Sequence, residues 1–348
     1  MTELVSPAVG PTSRSIFHLH PLLRCNLACA HCYSESSPQA QGFLTRDQAL
    51  AAIRQAASWG YSSVSISGGE PLLYPWLGEL LSCARHLGLT TGLVSNGLLI
   101  NRPGAIEALR SADFVALSVD GMSANHNAMR GQPRAFAKVL TAMARLADAA
   151  IPFGISCGIG PGNVGEIDDI AAATCAAGAA LLQLHPVEPS GRAAHDADRF
   201  VLADEAATSF YLLAHLVALE YAGRMVVRSD VVHREVAIAH PHMLYAHADD
   251  PRAWAKALPA QLVGVLVMDP HGNLMPVTYG FPAHLQIGNC LREGYERVWD
   301  RYVTQRYAQL RELGRSVYDD ILAGRGPDVF NPSALLARQA HMKLVEAA

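Results

Sequence analysis

From about residue 15 to residue 190, short β-branched runs alternate with longer helical patterns, which restricts the chain to consecutive βα units around a mainly parallel sheet. The strand candidates are SIFHLHPLL from Ser15, SSVSISG from Ser62, TTGLVSNG from Thr90, DFVALSVDG from Asp113, PFGISCGIG from Pro152 and ALLQLHPVE from Ala180. Six such strands fit a partial (βα)6 barrel, an α/β fold. Between the first two, Thr45 and Gln48 have capping-box spacing ahead of a helical run that stops at Gly60. Further helices are expected over roughly Arg134 to Ala149 and between Glu166 and Ala177, the second ended by Gly178. Ile170 to Leu184 is the most apolar long stretch, but Thr174, Gly178 and Gln183 interrupt it. A membrane span needs about 20 apolar residues, so a buried helix followed by a strand is expected instead.

After the polar stretch EPSGRAAHDADRF the pattern changes. The expected organisation is a tail over 1–14, the barrel over 15–195, a helix-rich connecting region over 196–260, a smaller α+β extension over 261–300 and C-terminal helices over 301–348. Within the extension, VGVLVMDPHGNLMPV reads as a hairpin turning through DPHGN, whose Asp, Pro, Gly and Asn are turn formers. A chain of 348 residues, half of them apolar, can bury one large core and a smaller appended unit. Its 27 Lys and Arg against 31 Asp and Glu give a net charge of −4, which offers no basic field to nucleic acid. The first fourteen residues have no apolar signal-peptide core, so a cytoplasmic protein without a membrane partner is expected.

Cys25, Cys29 and Cys32 fall within eight positions of LRCNLACAHCYSESSP, and no fourth cysteine follows. The chain has seven cysteines, the others being Cys83, Cys157, Cys175 and Cys290, an odd number that argues for metal or thiol chemistry over a disulfide framework. Three thiolates on one short loop suit a soft metal and lose little loop-closure entropy on assembly. Structural zinc takes four protein ligands, commonly as two separated pairs, and no partner pair occurs elsewhere. His31, wedged between Cys29 and Cys32, is poorly placed to be the fourth. An iron-sulfur cubane held by three cysteines would leave one iron open to a non-protein ligand. Three plain structural thiols remain the alternative.

The Cys-x3-Cys-x2-Cys spacing, with His31 before the last cysteine, resembles the signature of radical S-adenosylmethionine (radical SAM) enzymes. The resemblance implies that Cys25, Cys29 and Cys32 bind one 4Fe-4S cluster whose fourth iron is chelated by S-adenosyl-L-methionine. Reductive cleavage of that cofactor then gives a 5′-deoxyadenosyl radical, with an electron donor of flavodoxin or ferredoxin type. ISGGEPLL from Ile66 is similar to the family's GGEP element, placing Gly68, Gly69, Glu70 and Pro71 near the cofactor's amine. Glycines there let backbone approach a ligand closely, and Glu70 offers a carboxylate to an ammonium. LVSNG, with Ser95 and Asn96, resembles the family's TNG element. In LSVDGMSANHNAMRG, Ser118 and Asp120 alternate on one face of a strand end and suit a ribose hydroxyl, while the planar fork of Arg130 suits a carboxylate. These elements end successive strands, where α/β sheets collect ligands. The resemblance extends through HPVEPSGRA and covers about residues 15 to 195.

Met268 to Asp300 resembles the SPASM or twitch extension of peptide-modifying radical enzymes: Gly272, Pro276, Gly288, Asn289 and Trp299 fit it. Val277 stands where a cysteine usually follows the proline, and Cys290 is the region's one thiol, so a scaffold without an auxiliary cluster is expected. Ligation by His233, His240, His242 and His247 is the weaker alternative. Without a second cluster, redox-neutral chemistry gains weight, and Cys157, Cys290 or Tyr279 becomes a candidate hydrogen donor to a product radical. The reading is therefore a radical SAM enzyme, with a ribosomally made peptide as leading substrate class and a small molecule of cofactor or natural-product biosynthesis as alternative. An iron-sulfur electron carrier and a zinc scaffold are the non-enzyme alternatives.

Overall fold

The structure is a computed structural model, and it describes residues 15–245 and 250–346; the tail and His247 lie outside the described residues. The six expected strands form as β1 (Ile16–Leu19), β2 (Ser63–Ile66), β3 (Thr90–Ser95), β4 (Phe114–Ser118), β5 (Phe153–Ile159) and β6 (Leu181–Pro186), paired in parallel and in sequence order. The intervening helices are α1 (Arg46–Ser58), α2 (Leu77–His86), α3 (Ala105–Leu109), α4 (Ser123–Arg130), α5 (Ala135–Asp148) and α6 (Ile167–Ala176). The capping box of α1 is made: Gln48 N donates to Thr45 Oγ1 and Thr45 N to Gln48 Oε1. Gly60 and Gly178 follow their helices at positive φ, as stop signals require.

Three further strands were not legible beforehand. After α7 (Ala197–Phe200) and α8 (Asp204–Glu220), β7 (Val226–Ser229) adds a seventh parallel strand beside β6, inside the stretch expected to be helix-rich. β8 (Val232–His233) pairs with β12 (Val329–Phe330) in a separate two-stranded ribbon. The expected hairpin forms from β9 (Val265–Met268) and β10 (Asn273–Pro276), with β11 (Gly288–Asn289) added antiparallel. Asp269 Oδ1 accepts from the backbone N–H of His271 and Asn273, tightening its turn. The hairpin is no separate unit: β9 pairs in parallel with β1, Ile16 against Val265, so barrel and extension share one sheet, β11-β10-β9-β1-β2-β3-β4-β5-β6-β7.

Alternate burial along each strand assigns its two faces. Phe17, Leu19, Val64, Ile66, Val115, Leu117, Leu182 and Leu184 are buried under the helices. Ile16, His18, Ser63, Ser65, Gln183 and His185 occupy the opposite positions and face the lumen. Among the described residues the sheet does not close, since no pairing joins β7 to the hairpin at its other end. No single helix among the described residues is long and apolar enough to cross a membrane.

Candidate active site

The cysteines lie on the loop after β1, and two segments clamp its backbone. On one side, Gly69 N donates to Leu22 O and Glu70 N to Arg24 O. A Cβ on Gly69 would stand 2.1 Å from Arg24 O, and one on Gly68, at φ +100°, 2.7 Å from Leu22 O. The room expected for a ligand at these glycines is thus filled by the chain's own loop. Pro71 then opens a single turn of 3-10 helix, Pro71–Leu73. On the other side, Arg192 N donates to Cys32 O, its Nε to Cys29 O at 2.7 Å and its Nη2 to Ser36 O at 2.8 Å. Gly191 presses so close that a Cβ would meet Tyr33 O at 2.4 Å.

Polar groups surround the three sulfurs. Leu27 N and Asn96 Nδ2 lie 3.4 and 3.8 Å from Cys25 Sγ, Arg130 Nη1 3.7 Å from Cys29 Sγ, and Ser34 Oγ 3.5 Å from Cys32 Sγ. Burial pushes the Cys25 thiol up to about 12 and raises that of Cys29 against the pull of Arg130. Metal charge reverses that cost, since ligating thiols are deprotonated, and donors aimed at sulfur are what thiolate ligands of an iron-sulfur cluster require. No three His, Cys, Asp or Glu side chains among the described residues converge on a single-ion site. A cubane makes no such demand, because each thiolate takes its own iron. The residues fit a cluster.

Beside the cysteines are two buried carboxylates. Glu70, 1% exposed, accepts from Ser95 Oγ at 2.8 Å, Asn96 N at 2.9 Å and Leu72 N at 3.1 Å, tying the end of β2 to the end of β3. Three of its roughly four acceptor sites are thereby used. Burial raises its pKa, and the hydrogen bonds only partly offset that. Asp120, also 1% exposed, accepts from Gly158 N through Oδ1, while Oδ2 lies 2.5 Å from Arg130 Nε and 3.5 Å from His31 Nε2. Burial raises its pKa, but Arg130, His31, His126 and the Gly158 bond outweigh it and hold the carboxyl down at about 2. Burial works against the charge on Arg130, yet Asp120 and Cys29 drive its pKa upward.

Seven buried side-chain polar atoms lack an aligned hydrogen bond among the described residues. Five of them, His20 Nδ1, His31 Nδ1, Asp120 Oδ2, His126 Nε2 and Arg130 Nε, lie on residues of this region. Asp120 Oδ2 and Arg130 Nε face each other as an ion pair, which leaves His20 Nδ1, His31 Nδ1 and His126 Nε2 without a partner among the described residues, and native proteins leave such groups unpaired chiefly where a ligand, ion or catalytic role completes them. A polar ligand beside the cluster therefore fits.

The structure brings Cys25, Cys29, Cys32, His31, Gly68, Gly69, Glu70, Ser95, Asn96, Asp120 and Arg130 to one end of the strands, with Ser118 buried two residues before Asp120. Tyr279 joins them at the rim, stacked on His20 at 4.9 Å and edge-on to Tyr33 at 5.4 Å. The other two candidate hydrogen donors are not there. Cys157 shares the parity of Ile155 and Ile159 and points into the helix-covered core, while the lumen position beside it is Gly158. Cys290 is buried in the extension and donates to Gly272 O at 3.2 Å. Nor do the described histidines of that set gather at one point: His233 Nδ1 caps a helix by accepting from Glu235 N, while His240 and His242 touch ring to ring.

Arg192, Asn163 and His126 were missed. Asn163 bridges Asp120 O and Gly158 O through Nδ2, and His126 Nδ1 accepts from Asp120 N. Arg192 lies within the quoted HPVEPSGRA and carried the one advance signal, a cation two residues after a turn serine.

The sequence profile described as the radical SAM superfamily matches residues 20–173. Mycofactocin maturase MftC of Mycobacterium ulcerans is 31% identical over 295 residues, which cover 83% of this chain and 74% of that protein. The AdoMet-dependent heme synthase of Methanosarcina barkeri is 34% identical over 172 residues, covering 48% of this chain and 49% of that one. The chain thus spans about half the length of that relative, and less of several others. Among solved structures, Streptococcus suis SuiB bound to S-adenosylmethionine superposes with a TM-score of 0.63 at 16% identity, over 86% of this chain and 68% of that one.

Proposed function

This chain belongs to the radical SAM superfamily, and from that premise we propose that it is a maturase that modifies a ribosomally made peptide held in the open lumen. Its cofactors are one 4Fe-4S cluster and S-adenosyl-L-methionine. When bound, that pair supplies a 5′-deoxyadenosyl radical able to abstract hydrogen from an unactivated carbon. Cys25, Cys29 and Cys32 hold the cluster, with Asn96, Leu27 N and Arg130 easing the charge on their sulfurs. Asp120, Arg130 and Ser118 take the cofactor's polar groups. Glu70 has one acceptor site left for an ammonium, braced by Ser95 and Asn96. Gly68, Gly69 and Pro71 keep the cysteine loop in register, and His31 packs between loop and Asp120. A flavodoxin or ferredoxin supplies the electron, in the reducing cytoplasm where free thiols persist.

The observation that carries the peptide substrate is the 295-residue match to a maturase, too long to fit within the barrel and so reaching into the C-terminal region. The match to a heme synthase favours a second reading, a small-molecule substrate. The test is anaerobic reconstitution with iron and sulfide, then reduction with S-adenosylmethionine and a synthetic copy of a short precursor peptide sought among the neighbouring reading frames. Formation of 5′-deoxyadenosine with a mass change in the peptide is expected. No 5′-deoxyadenosine from a loaded cluster overturns the enzyme, and 5′-deoxyadenosine with an unaltered peptide overturns the peptide substrate.

A further inference from the structure

On the lumen face of β6, His185 Nδ1 lies 2.5 Å from Asp230 Oδ2, and Gln183 Nε2 donates to Asp230 Oδ1 at 2.7 Å. The flanking Leu182 and Leu184 point the other way and are fully buried, whereas the side chain of His185 is 41% exposed. His185 pairs in register with Gly158, whose N–H holds Asp120, so it stands one strand from the cofactor-side carboxylate with no side chain between them on β5.

His185 also acts electrostatically on His18 of β1. β1 and β6 are five places apart in the sheet, about 24 Å if it were flat at about 4.8 Å per strand. Both imidazoles stand at lumen-facing positions of their strands. His18 is held neutral, its pKa lowered to about 4 chiefly by burial. Burial also pulls on His185, but Asp230, and less so Asp120, outweigh it and raise its pKa. Asp230 and Asp120 are the charged groups that act on His185, and Asp230 acts in turn on Glu188.

A partly exposed imidazole on the lumen face with Nδ1 fixed on a carboxylate is the arrangement of a general base and its orienting residue. We propose that His185 is a catalytic residue of this chain that touches the substrate in the lumen and accepts a proton from it, with Asp230 as its positioning residue. The group it serves is an acidic N–H or O–H of the peptide next to the carbon that loses hydrogen. In that step the X–H bond breaks, its electron pair stays on X and the proton bonds to Nε2, so no oxidant is consumed. Gln183 holds the second oxygen of Asp230, and Gly158 puts no side chain of its own between Asp120 and His185. The proposal rests on the peptide-modifying reading above.

The test uses reconstituted holoenzyme and the same synthetic precursor peptide, with His185→Asn, His185→Gln and Asp230→Asn. Cluster absorbance and thermal midpoint report folding. In His185→Asn, peptide modification falls roughly 100-fold or more, the low end for removing an acid–base group, and 5′-deoxyadenosine formed per modified peptide rises at least about tenfold. In Asp230→Asn the acid limb of kcat/KM moves to lower pH, because removing the carboxylate lowers the His185 pKa. If wild type leaves the peptide unaltered, the peptide reading fails and takes this proposal with it. If wild type is active and both His185 variants keep its rate, or lose both products in one proportion, or Asp230→Asn leaves the acid limb in place, this proposal alone fails.

Discussion

Replacing Asp120 by Asn probes the buried charge pair that organises the site. The new amide can keep the bond from Gly158 N, but it meets Arg130 Nε with a donor or a neutral oxygen in place of a carboxylate. Arg130 is then a cation with a 12% exposed side chain whose remaining contact is a weak one to Cys29 Sγ. Removing one member of a buried pair costs about 3–5 kcal/mol, because the survivor keeps its desolvation penalty. A chain of 348 residues has an unfolding entropy of roughly 0.7 kcal/mol/K, so the thermal midpoint falls by about 4–7 °C. The assay is calorimetry of anaerobically purified protein at neutral pH, for Asp120→Asn, Arg130→Met and the double variant. The double variant loses less than the sum of the singles, with a coupling of at least about 1 kcal/mol. A midpoint for Asp120→Asn within about 1 °C of wild type, or strict additivity, refutes the reasoning.

Three further outcomes follow from the geometry. Gly69→Ala drives a Cβ into the Arg24 carbonyl and is expected to abolish iron retention, whereas Gly162→Ala, with nothing within 4 Å, leaves iron per chain unchanged. Arg192→Met removes two charge-assisted bonds to the carbonyls of Cys29 and Ser36, costing about 2–4 kcal/mol of local order, seen as faster cluster loss to chelator. His126 is held down at about 4, chiefly by burial, so its contribution to stability is complete above its unfolded pKa of 6.5 and is lost as pH falls through about 4. Proton-detected titration of labelled histidine checks this, and a His126 that titrates near 6.5 contradicts it.

The six barrel strands were legible because each is a β-branched run bounded by turn residues, and the cysteine loop because its ligands are neighbours in sequence. What stayed hidden depends on which distant groups meet. Glu70 read as an open carboxylate, yet Ser95, Asn96 and Leu72 fill most of it, and only the β2–β3 pairing brings two of them there. Cys157 looked equivalent to any thiol at a strand end until strand parity turned it outward. β7 was lost in a helix-rich stretch because VVRS offers two β-branched residues beside a charge. Nothing local in VLVM announces β1 as its partner.

That last pairing bears on how the protein is made. Ile16 finds its β9 neighbour Val265 only after 249 more residues have been synthesised. At about 5–20 residues per second, the ribosome needs roughly 12–50 s to deliver them. Throughout that interval one edge of β1 is an open hydrogen-bonding template, with the cysteine loop directly behind it, and such edges recruit other chains. Iron delivered before the hairpin docks therefore meets an unfinished sheet.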